Sequence, residues 1–382
     1  MRIAIVCPYY PWPPSIGGVE TIVRNMATEL ATRTHEVHVV CSPLDVTTQE
    51  PVASLGIEEK DGIIVHKLKP SSFRLGYARV MKGLKEEIAR IKPDIVHSHN
   101  LHPHLFQLAK WKKDLGYRLV AELHYPAVNL DYVVQRILLK PAMEALKLIS
   151  KCIDKFVAHT KLEKMWLERH GIESSRIEVL PTQHVSSTLF NHKIPSSRKD
   201  CMVFFLSRIV FKKGVHILVK AFHKVKARLS EAKLVIAGPE DPKYKKRLLS
   251  LVKELRLDGA VEFVGPVSEE EKLKLMASAK VFCLPTLADY HPLVLLEAQA
   301  LGTPVVATRV GAVPEIVLDR ETGFLVEPNN LYELAKAIIK LIEDKELWKG
   351  FSTKAREWAK NFALEKRVDE LESLYYEILN RG

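Results

Sequence analysis

The sequence predicts an α/β protein made of two doubly wound domains, each built on a parallel sheet. Short β-branched segments alternate with helical patterns along the whole chain, which is typical of βαβ units. The pattern restarts at about residue 195, after the polar stretch NHKIPSSRKDC. A length of 382 residues also exceeds the roughly 250–300 residues that one hydrophobic core supports. We therefore predict domains over 1–190 and 191–363, with the last helix, 364–382, packing back on the first.

The first domain contains seven segments that are typical of buried parallel strands. In chain order they are RIAIVC, EVHVVC, IIVHKL, DIVHSH, LVAELH, FVAHT and IEVL. Helices are predicted from Glu20 to Thr32, over ARVMKGLKEEIARI, and again before LVAELH. This alternation makes strand, crossover helix and strand the repeating unit of the domain.

The second domain repeats the same alternation with six strand-like segments. They are MVFFLS, KLVIAG, VEFVG, VFCLP, PVVAT and GFLVE. Helices are predicted over Val215–Leu229 and Lys243–Leu255, and the final helix over Leu364–Leu379. Two such domains that face each other place the carboxyl ends of both sheets around one cleft, where ligands of these sheets bind.

Composition and charge limit the classes of protein to which the chain can belong. The chain is 47% hydrophobic and 27% charged, which is ordinary for a globular protein, and its net charge of +11 is shared by both halves. That charge favours anionic ligands or an anionic membrane surface, and the absence of a basic tail argues against nucleic acid. The five cysteines are scattered, the N-terminal apolar run is short, and no apolar run approaches 18 residues. These features predict a cytoplasmic protein that is at most peripheral to the inner face of a membrane.

The stretch ADYHPLVLLEAQALGTPVVAT carries the chemistry of the second domain. Asp289 and Glu297 have seven residues between them, and a helix is predicted over Pro292–Leu301 with Gly302 as its left-handed cap. The amino end of that helix is a natural seat for a phosphate. Glu297 can accept hydrogen bonds from ribose hydroxyls and Asp289 from a second set of hydroxyls. On its own, however, the pattern is more typical of a capping aspartate and a solvated glutamate.

The same stretch resembles the signature of glycosyltransferase family 4, whose members are retaining enzymes with the GT-B fold. VGAVPEIV and TGFLVEP resemble the segments that follow it, and PSIGGVETIVRNMATEL, PDIVHSHN, LVAELH and LSRIVFKKG resemble other family segments, so the likeness covers nearly the whole chain. The resemblance implies two facing Rossmann-like domains with an interdomain cleft. It also implies that the first domain binds the acceptor and the second binds the nucleotide-sugar donor.

Two cations stand between the first strand and helix of the second domain. Arg208 and Lys213 have four residues between them, and both can reach a pyrophosphate and stabilise charge on a leaving group. The alternative is a pair of solvated basic side chains. The resemblance implies catalytic roles for both of them, together with Asp289 and His124, the latter near the donor sugar.

The resemblance also implies a set of donor-binding residues. They are Gly17, Gly18, Val267, His291, Leu293, Val294 and Glu297. The two glycines let backbone approach a phosphate or sugar, and the backbone at Val267 would lie under the nucleobase. The sequence departs from the family where Asp289 replaces a glutamate and Tyr-His-Pro replaces Gly-Phe-Gly, so we expect a changed donor pocket. VLPTQHVSSTLF also departs from the family's Pro-Asn-Gly-Val-Asp, at the interdomain segment.

No metal or cofactor is expected. The sequence has no Asp-x-Asp motif and no His/Cys spacing typical of metal ligands. His97 and His99, in VHSHN, are expected to face opposite sides of their strand and not to form a metal pair. The pattern therefore favours metal-independent chemistry.

Taken together, the sequence predicts a retaining hexosyltransferase. It would move a sugar from a UDP- or GDP-sugar to a hydroxyl of a glycan or lipid-linked acceptor. Two alternatives remain open: a sugar-nucleotide epimerase on the same fold, and a non-catalytic sugar-nucleotide-binding subunit of a glycosylation complex. The segments FRLGYARVMKGLKEEIARI and DYVVQRILLKPAMEALKLISK predict basic amphipathic helices, which either lie on anionic lipid or pack on the sheet.

Overall fold

The computed structural model describes residues 1–12, 18–45, 48–75, 78–124, 133–192, 201–289 and 292–381; residues 73–75, 78 and 133–139 are described by their backbone alone. The chain forms two compact units. Unit 1 comprises Met1–His184 and Leu364–Gly382, and unit 2 comprises Val185–Ala363. Within the described residues, no helix is both long and apolar enough to cross a bilayer.

The described part of unit 1 contains ten strands. They are β1 (Arg2–Val6), β2 (Glu36–Cys41), β3 (Gly56–Lys60), β4 (Ile63–Lys67), β5 (Pro70–Leu75), β6 (Ala78–Met81), β7 (Ile95–His99), β8 (Arg118–Glu122), β9 (Lys155–Ala158) and β10 (Ile177–Val179). Eight of them form one sheet in the order β10-β9-β8-β7-β1-β2-β4-β3, and β5 pairs with β6 separately. All neighbours in the large sheet are parallel except β3 and β4, which are antiparallel.

Five helices of unit 1 lie between these strands. They are α1 (Gly18–Thr32), α2 (Leu84–Ile91), α3 (Pro103–Leu115), α4 (Val133–Ile149) and α5 (Lys161–Arg169). The central strands β1, β7, β8 and β9 are almost wholly buried, because helices cover both faces of the sheet. One apolar cluster packs on each face of this sheet.

Two sequence predictions in unit 1 are wrong in detail. The predicted helix over ARVMKGLKEEIARI is a strand, β6, at its start, and Gly83 at φ +79° separates that strand from α2. The antiparallel strand β3 was not predicted, although Asp61 and Gly62, both at positive φ, form the Asp-Gly turn that is a strong hairpin signal.

Among its described residues, unit 2 contains six strands, all parallel. They are β11 (Met202–Leu206), β12 (Lys233–Ala237), β13 (Val261–Gly265), β14 (Val281–Leu284), β15 (Val305–Thr308) and β16 (Gly323–Val326). Their order is β13-β12-β11-β14-β15-β16. The chain therefore winds in one direction from β11 to β13 and in the other from β14 to β16. The gap between the carboxyl ends of β11 and β14 is the topological switch point, where ligands of such sheets bind.

Seven helices belong to unit 2, and one more follows it. They are α6 (Val215–Arg228), α7 (Pro242–Glu254), α8 (Glu269–Ser278), α9 (Leu293–Ala300), α10 (Val313–Ile316), α11 (Leu331–Glu343), α12 (Lys345–Ala359) and α13 (Leu364–Asn380). The core is a single apolar cluster. Its largest fully buried side chains include Phe204 and Phe282 on the adjacent strands β11 and β14, whose rings meet edge to face at 5.9 Å.

The last helix, α13, packs in unit 1 against α1. Leu371 and Tyr375 are buried in the cluster that α1 also fills. Arg33, just beyond α1, forms ion pairs with Asp369 at 2.5 Å and Glu372 at 3.2 Å. The chain thus leaves unit 1 at His184 and returns to it for this helix.

Candidate functional site

Two loops of unit 2 are fixed to each other at the switch point between β11 and β14. The backbone N–H of Leu287 donates to the carbonyl of Lys212 at 2.8 Å, and the Thr286 hydroxyl donates to the same carbonyl at 3.2 Å. Gly214 has φ +73°, and a Cβ there would lie 1.9 Å from the carbonyl oxygen of Pro285. Only glycine allows both this backbone angle and this close approach.

This arrangement brings Lys213 and Asp289 together. Lys213 Nζ donates to Asp289 Oδ2, and both side chains are 12% exposed. An ammonium group has three N–H donors, so the pair leaves donors of Lys213 for an anion. The sequence placed both residues in the site, but it did not indicate that they form an ion pair.

Arg208 lies two residues beyond the end of β11. Its side chain is exposed, and no described residue forms an ion pair with it. A planar guanidinium without a carboxylate partner is suited to bidentate contact with a phosphate. Arg208 and Lys213 therefore flank the loop that opens on the switch point.

Helix α9 begins at Leu293 beside this loop. Pro292 is the residue before the helix, with φ −77° and ψ 101°, so the predicted helix over Pro292–Leu301 is one residue too long at each end. The first backbone hydrogen bond of this turn runs from Leu295 to Pro292, and the N–H groups of Leu293 and Val294 precede it. Such amides carry partial positive charge.

The other predicted residues of the donor site have mixed outcomes. Gly302 has φ +68° and ends the helix as a left-handed cap, which confirms the prediction. His291 lies outside the described residues, as does Gly17. Gly18 is the first residue of α1, and a Cβ added there would meet no described atom within 4 Å beyond its chain neighbours. Val267 lies half-buried between β13 and α8, against the core.

Glu297 is not the solvated glutamate of the simpler interpretation. Its Oε1 accepts from Lys272 Nζ of α8 at 2.8 Å, and its Oε2 is buried with no hydrogen-bond partner among the described residues. Burial acts to lower the pKa of Lys272, but Glu297 and Glu269 outweigh burial and raise that pKa above its ordinary value. Lys272 was missed because nothing in the local pattern of α8 marks it.

His124 of unit 1 lies directly beyond β8, at the carboxyl edge of the sheet. It has φ +49°, an uncommon value for a side chain of this size. Its Nε2 lies 3.0 Å from Glu122 Oε1 and 2.8 Å from His99 Nδ1, and its Nδ1 lies 3.0 Å from His159 Nε2. The predicted lone histidine therefore belongs to a buried network.

Glu122 is the centre of that network. Thr182, beyond β10, donates to Glu122 Oε1 at 2.7 Å. Burial acts to raise the pKa of Glu122, but the imidazoles of His124, His99 and His159 hold that pKa well below its ordinary value. The carboxylate is therefore ionised, although it is fully buried. Glu122, His159 and Thr182 were not predicted as site residues.

The expectation that His97 and His99 face opposite sides of their strand is wrong. Residues two apart on a strand point to the same face, and the two rings lie 4.4 Å apart. Glu122 is the cross-strand neighbour of His99. These three side chains supply atoms within 4.8 Å of one another, close enough to share a metal ion.

Comparisons with known proteins agree with this fold. A model described as "Glycosyltransferase Family 4" matches residues 16–182, and one described as "Glycosyl transferases group 1" matches residues 188–358. A phosphatidyl-myo-inositol mannosyltransferase of Mycolicibacterium smegmatis is 30% identical over 94% of this chain and 89% of its own length. An N-acetyl-alpha-D-glucosaminyl L-malate synthase of Bacillus anthracis is 25% identical over 99% of this chain and 97% of its own.

Solved structures show the same architecture. HepE of Anabaena, in complex with UDP, aligns with a TM-score of 0.77 at 19% identity, over 99% of this chain and all of its own. Two doubly wound units of this kind are the GT-B fold, and the protein is a glycosyltransferase. More narrowly, the chain belongs to glycosyltransferase family 4.

The contact at Gly214 can be tested by substitution. Gly214 and Gly259 both have φ +73°, but only Gly214 faces another atom within 4 Å. Gly259→Ala should cost about 1–2 kcal/mol of unfolding free energy, from the backbone angle alone. Gly214→Ala should cost about 1–3 kcal/mol more, because the loops must separate. Thermal or urea denaturation measures the difference, and equal losses in the two variants would show that the close approach is unimportant.

Proposed function

We propose that the protein is a retaining glycosyltransferase that moves a sugar from a nucleotide-diphospho-sugar to an acceptor hydroxyl. The observation that carries the proposal is the Lys213–Asp289 pair at the switch point of unit 2, beside Arg208 and the start of α9. A diphosphate leaving group needs positive charge in that position. The UDP complex of HepE, a protein of the same fold, supports a nucleoside diphosphate.

The leaving diphosphate would be stabilised by three kinds of donor. Lys213 provides N–H groups that Asp289 does not use, Arg208 provides its planar guanidinium, and α9 provides the amides of Leu293 and Val294. Because Asp289 fixes the ammonium group before substrate arrives, little reorganisation is needed during reaction. Asp289 Oδ1 can also accept a hydrogen bond from a sugar hydroxyl.

Glu297 would bind the ribose. Lys272 holds Oε1 at 2.8 Å, while Oε2 lacks a partner among the described residues. A buried carboxylate oxygen without a donor is costly unless a ligand supplies one. Two vicinal hydroxyls are suitable donors. In this proposal the donor is a UDP- or GDP-sugar, and its base lies over the backbone at Val267.

Unit 1 would bind the acceptor, with His124 near the transferred sugar. The lowered pKa of Glu122 keeps a negative charge beside His124 Nε2, at 3.0 Å. We assign no nucleophile. The leaving-group oxygen assists deprotonation of the acceptor on the same face of the sugar, so the anomeric configuration is retained. Two relatives are named for a mannosyl and a glucosaminyl product, which favours a hexose as the transferred group.

The transfer step would need no metal ion, because Lys213, Arg208 and the α9 amides already supply positive charge to the diphosphate. Turnover of the purified enzyme should therefore persist in excess EDTA. Loss of turnover in EDTA that added Mg²⁺ or Mn²⁺ restores would contradict this part of the proposal.

Substitution of the two cations tests the diphosphate assignment. Lys213→Ala and Arg208→Ala should each reduce turnover at least about a hundredfold, the scale of one preorganised charge contact. Lys212→Ala is the matched control, since Lys212 is exposed, next in the chain and also basic. It should retain turnover close to that of the wild type. Wild-type turnover in Lys213→Ala would exclude the assignment.

The two carboxylates should have separable roles. Glu297→Gln should weaken nucleoside diphosphate binding, because the ribose loses a charged acceptor, by about 1.5–3 kcal/mol or roughly 10–150-fold in affinity. Asp289→Asn should affect turnover and sugar choice more than nucleotide affinity. Calorimetric titration with UDP and GDP measures both variants. Unchanged affinity in Glu297→Gln would remove Glu297 from the ribose site.

A lipid-linked acceptor would bring unit 1 into contact with an anionic membrane. At the end of α4, Leu148 is 83% exposed, and Lys147 and Lys151 are exposed beside it. Basic residues near a lipid surface contribute about 1 kcal/mol each. Unit 1 should therefore bind anionic vesicles at low ionic strength.

Vesicle sedimentation of a double variant tests this surface. Leu148→Ser with Lys151→Glu should weaken sedimentation. Leu249→Ser with Lys253→Glu is the matched control, because it alters an exposed leucine and lysine of α7 in unit 2. If the wild type stays in the supernatant at low salt, the acceptor is soluble.

A further inference from the structure

Unit 1 contains a buried cluster of ligand-type side chains that the diphosphate site of unit 2 does not use. We call His97, His99 and Glu122 the inner triad. All three are 0% exposed and lie on the same face of the adjacent strands β7 and β8. One nitrogen or oxygen from each lies within 4.8 Å of the other two.

Each member of the inner triad has one polar atom without a partner. His97 Nε2, His99 Nε2 and Glu122 Oε2 are buried, and no described residue forms a hydrogen bond with them. Three such atoms in one cluster are unusual, because an unsatisfied buried polar group is destabilising. His97 Nε2 lies 3.4 Å from Glu122 Oε2. The nearest approach of His99 to Glu122 is 3.7 Å, from Nδ1 to Oε1, and its ring lies 4.4 Å from the ring of His97. Two of the three atoms that lack partners, on His97 and Glu122, are therefore neighbours, and the His99 ring lies beside them.

The opposite atom of each side chain is held. His97 Nδ1 lies 2.7 Å from the hydroxyl of Tyr375, and His99 Nδ1 lies 2.8 Å from His124 Nε2. Glu122 Oε1 accepts the Thr182 hydroxyl at 2.7 Å. Metal-binding histidines and carboxylates have this pattern, in which an outer partner orients each ligand and leaves its other atom for the ion.

We propose that the inner triad binds one divalent transition-metal ion of the Zn²⁺ class through His97 Nε2, His99 Nε2 and Glu122 Oε2. Imidazole and carboxylate are ligands that Zn²⁺ takes at about 2.0–2.2 Å, which puts tetrahedral ligand atoms about 3.3–3.6 Å apart. The 3.4 Å between His97 Nε2 and Glu122 Oε2 agrees with that spacing. The ion is structural and belongs to unit 1, apart from the diphosphate site.

The donor set suits a cation. Two imidazoles and one carboxylate around a divalent ion are the donor set of known zinc sites.

The test uses the full chain purified without chelator, since a ligand set that is fully buried is loaded during folding. We expect about one equivalent of zinc per chain by elemental analysis. We also expect refolding from denaturant to succeed better with Zn²⁺ than with EDTA. Refolding with Co²⁺ should give the visible absorption bands of a tetrahedral site, a readout that does not depend on activity.

Four variants locate the site. His97→Gln and His99→Gln should lose the bound ion, and Tyr375→Phe, which removes only an outer partner, should weaken affinity about 10–100-fold. His38→Gln, at a buried histidine that pairs with His66, is the matched control and should keep the ion. Far-ultraviolet circular dichroism shows which variants are folded.

Three results would overturn the proposal. The first is a wild-type chain that contains no metal and binds neither Zn²⁺ nor Co²⁺ during refolding, in which case a water molecule satisfies the triad. The second is retention of the ion by folded His97→Gln and Tyr375→Phe chains at wild-type affinity. The third is loss of the ion in His159→Gln but not in His97→Gln, which would move the site to Glu122, His124 and His159.

Discussion

The structure of the candidate site depends on the close approach of two loops in unit 2. Gly214 and Pro285 touch, backbone to backbone, only because position 214 has no Cβ and adopts φ +73°. This contact sets Lys213 beside Asp289, and it holds the β14 loop that leads into α9. A glycine contact of this kind has no chemistry of its own. It nevertheless decides where the charged groups lie, because the switch point of the sheet supplies only the space between the strands.

Charged groups in both units have close partners inside the protein. In unit 2, Lys272 with Glu297 and Lys213 with Asp289 are largely buried ion pairs. In unit 1, Glu122 is fully buried, and the imidazoles around it hold its pKa low. Removing one partner from such a pair leaves an uncompensated charge, which is more costly than the pair is stabilising.

The sequence predicts most of the fold because period-two and helical patterns are local. All six strands of unit 2 were predicted, as was the cap at Gly302. The helix expected at Ala78–Met81 is a strand because its pairing with β5 overrides a weak local preference. The site is predicted where a motif carries it, as at Arg208 and Lys213. Lys272 and Thr182 could not be predicted, since only the tertiary fold brings them to Glu297 and Glu122. Strand periodicity alone, however, predicts that His97 and His99 point to the same face of the sheet.

Hydrogen exchange with and without nucleotide tests the central claim, which is that a nucleoside diphosphate binds at the switch point of unit 2. UDP or GDP, whichever calorimetry shows to bind, should slow amide exchange in residues 207–215 and 292–296. The amides of β7 and β8 in unit 1 should exchange as before, because no phosphate contact is assigned to them. Protection at both segments of unit 2 is the result that we expect. Binding that leaves both segments unprotected would contradict the account.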